Sequence, residues 1–184
     1  MADLFPLLIV GTIITYTGRL FNVLDPKPED VDILDIAHAL AHSCRWGGHC
    51  SDFFSVAQHS VLVSRHAPEQ HALWGLLHDA GEAYLVDMPR PVKRLLSDYQ
   101  DMEEAIMKAV CMRFGMEPRE PLEVKEIDMR LLATEASILK MHPHLWGEAL
   151  RAPLDVSFVP QGPNEAKRDF LQQYMDITGQ RPPT

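Results

Sequence analysis

The chain has 184 residues, of which 46% are hydrophobic, enough for one sizeable core and too few to expect two. Its 17 basic and 26 acidic residues give a formal net charge of −9, which disfavours broad attraction to nucleic acid polymers or anionic membranes. Three cysteines, Cys44, Cys50 and Cys111, form neither an even disulfide framework nor a C-x2-C zinc pair, so a reducing cytoplasm is the expected location.

The first apolar stretch, "LFPLLIVGTIITY", follows Asp3 rather than a basic residue and contains Pro6, Gly11 and Thr12. It is shorter than the roughly 20 apolar residues a membrane-spanning helix needs, so it reads as buried or interface structure. The β-branched run continues to Pro26 with Thr17 and Gly18 at its middle, which predicts a short β-hairpin. Everything beyond Pro28 reads as helical. "EDVDILDIAHALAHSC" keeps Ile33, Ile36, Ala37 and Leu40 at helical spacing and stops at the glycines of "RWGGH". "SVAQHSVLVSRHA" starts at a Ser55 cap and ends at Pro68, and "EQHALWGLLHDAGEAYLV" follows as one more helix. In "DMPRPVK", Pro89 and Pro91 each remove a backbone donor, which predicts a loop or a very short helix. Further helices are predicted over Asp98 to Phe114, Leu122 to Met141 and Asn164 to Ile177, with an irregular link before the last. The organisation is a single domain over 1–184: a hairpin extension at 1–28, a helical core at 30–141 and a C-terminal extension at 142–184.

The chemistry concentrates in "HDAGEAYLVDMPRPVK", residues 78 to 93. On a helix through this stretch, His78, Asp79 and Glu82 point toward one cavity beside Leu76, Leu77 and Ala80. A carboxylate in such company must stay wet, be paired, or hold a cation. Imidazole nitrogen with carboxylate oxygen suits zinc and the other first-row divalent ions, but two side chains hold a metal weakly. His59 is the next candidate, flanked at helical spacing by Val56, Leu62 and Val63, and Asp128 follows, on a stripe with Leu131, Leu132 and Glu135. Taken singly, each has an ordinary alternative: His59 as a hydrogen-bonded core residue, Asp128 as a partner of Lys125. His38 and His42 stand at i, i+4, yet the glutamate of a zincin motif is missing, and a structural role is the better reading.

The succession His59, His78–Asp79, Asp128 resembles the HD-domain metal-dependent phosphohydrolases, whose ligand set is H…HD…D on an all-α helical bundle. The likeness extends to "CRWGGH", where Arg45 and Trp46 resemble the Arg-Trp element of bacterial 5'-deoxynucleotidases, and to Glu82 at the HDxxE position. Asp87 and Lys93 resemble the substrate-contacting carboxylate and the phosphate-contacting lysine of deoxynucleotide-acting members, and a phage dATP triphosphohydrolase group is similar. The resemblance spans residues 30 to 141. It departs in the 19-position step from His59 to His78, a tighter connection than in the deoxynucleotidases, and in the hairpin extension.

The resemblance implies an all-α HD-domain bundle with a short N-terminal β-hairpin and one divalent ion (Mn, Co, Zn, Mg or Fe) on His59, His78, Asp79 and Asp128. It implies hydrolysis of a phosphate ester or anhydride of a nucleotide, by a dNTP triphosphohydrolase or a 5'-deoxynucleotidase. Glu82 would orient water and move its proton, and Arg45 and Lys93 would neutralise phosphate oxygens. Trp46 would stack on the base or shape the sugar pocket, and Asp87 would accept a hydrogen bond from the 3'-hydroxyl. The competing class is a noncatalytic metal- or nucleotide-binding regulator with the same fold. Enzymes it resembles are commonly dimers or hexamers, so a homo-oligomer is expected, with the apolar N-terminal segment available as an interface.

Overall fold

The computed structural model describes residues 10–145 and 150–182. The apolar segment ahead of Val10, expected as buried or interface structure, lies outside the described residues.

Two short strands, β1 (Thr12–Ile14) and β2 (Leu20–Asn22), pair antiparallel with Ile13 opposite Phe21. The predicted turn is present: the Gly18 N–H donates to the Thr15 carbonyl at 3.0 Å, and Gly18 sits at φ 81°, where a glycine carries no steric penalty. A lone hairpin is marginal in water, so its attachment to the body matters. Phe21 is fully buried and stacks on Tyr84 at 3.9 Å, while Asp35 accepts hydrogen bonds from the Thr17 N–H and hydroxyl at 2.7 and 3.0 Å.

The remainder is helical: α1 (Ile33–His42), α2 (Val56–His66), α3 (Ala72–Leu77), α4 (Arg90–Lys93), α5 (Ser97–Phe114), α6 (Leu122–Ile138) and α7 (Pro163–Thr178). Caps follow the expected chemistry, with Asp32 accepting from the Leu34 N–H and Ser55 from the Gln58 N–H. Helix α2 is central and buried along most of its length, packed against α1, α3, α6 and α7. One apolar cluster joins the hairpin, α1, α3, α5 and α7; a second, around Phe54, Val63, Val124 and Leu131, lies between α2 and α6.

Two predicted helices are shorter than the sequence suggested. The helix expected to run through His78 and Glu82 ends at Leu77, and residues 80–83 form a 3-10 turn instead. Asp79 leaves the helical region at φ −101°, ψ 16°, and the Gly81 N–H is taken up by the Met107 sulfur of α5 at 3.3 Å. Tertiary contact thus outweighs helix continuation in a segment with two glycines. Helix α6 stops at Ile138 rather than Met141, since Lys140 takes φ 57° while the Leu139 and Met141 N–H groups close back on the Glu135 and Ala136 carbonyls.

Gly75 sets the spacing of α2 and α3. A Cβ there would lie 3.0 Å from the Ser64 Cα and 3.2 Å from its nitrogen, so the two backbones approach more closely than a side chain allows. We therefore predict that Gly75→Ala lowers stability by about 1–3 kcal/mol through overpacking. Gly162→Ala, whose Cβ meets nothing within 4 Å, should leave the urea midpoint near wild type. Equal midpoints for the two variants would refute the close-approach argument.

Candidate metal centre

Helix α2 brings His59 inward, the end of α3 delivers His78 and Asp79, and α6 supplies Asp128. Single ligand atoms of His59, His78 and Asp128 all lie within 4.8 Å of one another. His59 is fully buried, and the His78 side chain is only 4% exposed. The two imidazoles meet with Nε2 atoms 3.2 Å apart, and Asp128 Oδ1 stands 3.3 Å from the His59 Nε2. Asp79 flanks this trio rather than joining it. Its Oδ2 is 3.2 Å from the His78 Nε2 and 3.9 Å from the His59 Nε2, and it also faces the Arg45 Nη1 at 3.5 Å.

The outer nitrogens fix the tautomers. His59 Nδ1 lies 2.5 Å from the Glu135 carboxylate, and His78 Nδ1 lies 2.8 Å from the Gly75 carbonyl, which can only accept. Glu135 is fully buried and also receives the Arg45 Nε–H at 3.1 Å. Both imidazoles therefore donate outward from Nδ1, and both Nε2 atoms face each other and two carboxylates. Neutral rings in that arrangement present acceptors to acceptors, so the centre needs protons or a cation between them. The residues fit a divalent ion: borderline nitrogen donors, hard carboxylate oxygens, and outer bonds that orient the imidazoles.

The electrostatics point the same way. Burial raises the proton affinity of Asp79 and Asp128, but the imidazoles and the neighbouring arginines outweigh it and hold both carboxyls well below the usual carboxylate range. Burial pulls His78 down, yet Asp79 and Asp128 overcome it and push its imidazolium up to about 9.

The remaining predicted residues surround this centre in different ways. Arg45 is buried, with its guanidinium engaged by Glu135 and Asp79. Trp46, at φ 61°, packs on the cluster between α2 and α6. Glu82 is only 6% exposed: Oε1 receives the Lys93 ammonium at 3.4 Å, while Oε2 is buried with no hydrogen-bond partner. Burial, reinforced by Asp79 and Asp87, raises the Glu82 carboxyl well above its ordinary range against the pull of Lys93 and Arg45. Asp87 is half-buried and raised by burial within the field of Arg45, Asp79, His59 and Lys93, which places it in the same electrostatic neighbourhood. Lys93 makes its shorter ion pair with Glu103, at 2.6 Å.

Several participants lie outside the sequence-derived set. Glu135 orients His59 and neutralises Arg45; its position seven residues after Asp128, on the same stripe, was the available signal. Arg90 binds the outer oxygen of Asp128 through Nη2 at 2.5 Å, in place of the Lys125 pairing considered for that aspartate, while its side chain remains 50% exposed. Glu103 had no signal beyond its helix. His38 and His42 stack on each other, with the His42 Nδ1 at 2.8 Å from the His38 carbonyl, the structural arrangement expected of them.

The His78 shift has a pH signature. Its folded-state value of about 9 lies above the roughly 6.5 of an unfolded histidine, so its contribution is complete below that pH and is lost as pH rises through 9. In chelator-treated protein the urea midpoint should fall between those two values, and His78→Gln should flatten the decline. A wild-type midpoint that stays level over this interval would contradict the assignment.

No family model matches the chain. It is 41% identical over 119 residues to an uncharacterized protein of Rhodobacter capsulatus, covering 59% of this chain and 61% of that one. It is 38% identical over 167 residues to the uncharacterized protein YfdR of Escherichia coli (strain K12), covering 89% of this chain and 94% of the relative. With both sequences matched over nearly their whole lengths, the chain belongs to the YfdR family.

Proposed function

We propose that this protein is a metal-dependent phosphohydrolase with an HD-type helical fold, cleaving a phosphate ester or anhydride of a nucleotide, most specifically a deoxynucleotide. The observation that carries the reading is the buried pair of imidazoles whose Nε2 atoms converge beside Asp128, with both Nδ1 atoms committed elsewhere. Such a centre has no purpose in a purely apolar core, where well-packed hydrophobic residues of similar volume cost less.

His59, His78 and Asp128 would hold the ion, with Asp79 completing the set by a small turn away from Arg45. A divalent ion bound there supplies Lewis acidity, lowering the pKa of water from about 15.7 toward 7 and polarising a phosphoryl oxygen. The chain's own residues do the rest. Glu82, with a raised proton affinity and one buried oxygen free of protein partners, is equipped to orient a water and take its proton at Oε2. Lys93 holds the other Glu82 oxygen and brings positive charge toward phosphate. Arg45 balances Glu135 and Asp79, and with Asp79 among the ligands it would be placed to pair with a phosphate oxygen. Asp87 stands in the same field, suited to a sugar hydroxyl, and Trp46 to the base or sugar wall.

Phosphoryl transfer depends mainly on positioning and on stabilising charge, which matches a site dominated by fixed charges. The test is to incubate metal-analysed protein with ribo- and deoxynucleoside mono- and triphosphates, adding Mn, Co, Mg or Zn in turn. Inorganic phosphate as product marks a nucleotidase, and intact triphosphate marks a triphosphohydrolase. Asp128→Ala should lose both bound metal and turnover. Glu82→Gln should keep the metal and lose roughly 10²–10⁴-fold in kcat. No turnover of any member of the panel by metal-loaded protein would defeat the proposal.

A further inference from the structure

The loop that carries Arg45 and Trp46 is bracketed by two cysteines. Cys44 Sγ and Cys50 Sγ are 3.8 Å apart, both half-buried, and neither is in a disulfide. Their meeting is enforced by the surrounding backbone. The Arg45 N–H donates to the Phe54 carbonyl at 2.9 Å and the Val56 N–H to the Ser43 carbonyl at 3.0 Å, which anchors the Cys44 side. On the other side, the Ser51 N–H donates to the Leu139 carbonyl at 3.1 Å. Between the anchors lie Gly47 and Gly48 at φ 59° and 77°, and a Cβ on Gly48 would meet nothing within 4 Å. The loop therefore has both the backbone freedom and the space to let the sulfurs close from 3.8 Å to the roughly 2.05 Å of a disulfide.

We propose that Cys44 and Cys50 are a redox-active dithiol, and that their disulfide form draws the Arg45 loop inward and alters the hold of Arg45 on Glu135. The exchange is balanced with a small-molecule disulfide as oxidant. One thiolate attacks the reagent and releases one thiol; the second cysteine attacks the mixed disulfide and releases the other. The two cysteines lose two hydrogens in all, and the reagent disulfide is reduced to two thiols. Cys50 is tied to the site even in the dithiol form, since its Sγ contacts the Arg45 carbonyl at 3.8 Å. Exchange-competent cysteine pairs inside cells are characteristically transient and regulatory rather than structural.

The disulfide is independent of the function proposed above, whereas its effect on ion binding rests on that reading. The experiment equilibrates the full chain in buffers of reduced and oxidised glutathione, then alkylates free thiols and maps the peptides. Expected are a loss of two hydrogen masses, protection of Cys44 and Cys50 together, and a free Cys111. Cys50→Ser should abolish the mass loss, and Cys111→Ser should keep it. Alkylation of both Cys44 and Cys50 in fully oxidising buffer, or only glutathione adducts and intermolecular links, would overturn the dithiol. Hydrogen exchange should change on oxidation in peptides spanning 44–55 and in the part of α6 that carries Glu135, and Mn affinity should weaken roughly tenfold. Unchanged exchange around Glu135 in the oxidised protein would overturn the coupling. Absence of Mn binding in both redox forms would instead count against the metal centre and leave the exchange readout to decide.

Discussion

Everything in this site depends on the direction in which two imidazoles face. Once Glu135 and the Gly75 carbonyl have claimed the Nδ1 hydrogens of His59 and His78, both Nε2 atoms have to face each other across 3.2 Å. That juxtaposition is unfavourable for neutral rings, and the flanking carboxylates add to the concentration of acceptors. A positive charge at the centre turns the same geometry from a penalty into a ligand set. The outer bonds are thus as much a part of the centre as the ligands, because without them each ring could rotate and relieve the conflict.

The bundle is arranged to keep those rings from relaxing apart. The imidazoles sit on neighbouring elements, and the distance between them follows from how closely α2 and α3 approach at Gly75 and Ser64. The carbonyl of that same glycine orients His78, so one residue sets both the helix spacing and a ring tautomer. The Ser64 hydroxyl reinforces the approach by donating to the Ala72 carbonyl at 2.8 Å. On the opposite side, Phe21 against Tyr84 fixes the hairpin over the 3-10 turn, next to the segment that carries Glu82. The hairpin therefore braces the edge of the bundle that carries Glu82, a role that composition alone gave no reason to assign.

Periodicity and capping made most of the helices legible, since α1, α2, α5 and α7 begin and end close to where their apolar spacing and breakers placed them. What failed was continuity through His78. A helical pattern assumes that side chains decide the backbone, whereas here the Gly81 N–H finds a sulfur on α5 and the chain tightens into a 3-10 turn. The site residues survive this error because a 3-10 turn eclipses positions i and i+3, which keeps Asp79 and Glu82 on one side. The missing members have a common cause. Glu135, Arg90 and Glu103 act through partners 76, 38 and 10 residues away, respectively, and no local pattern records such pairings. Burial, which distinguishes Glu135 from any other helix glutamate, is a property of the assembled bundle.

The charge distribution gives the last constraint. A chain with a net charge of −9 repels an anion at long range, yet Arg45, Arg90 and Lys93 stand around the carboxylates of a single site. Each of these cations is already bound to a carboxylate, so the centre is balanced rather than basic. Binding an anionic group there would mean exchanging partners, one carboxylate released for each anion oxygen gained, and a cation between the imidazoles would ease that exchange by attracting Asp79 and Asp128 away from their arginines. Arg90 is the member best placed to make the first exchange. It is half-exposed, where Arg45 is enclosed, and its bond to Asp128 links the rim of the site directly to the outer oxygen of a candidate ligand. Ion and anion would then bind cooperatively, because each relieves the electrostatic demand that the other leaves behind.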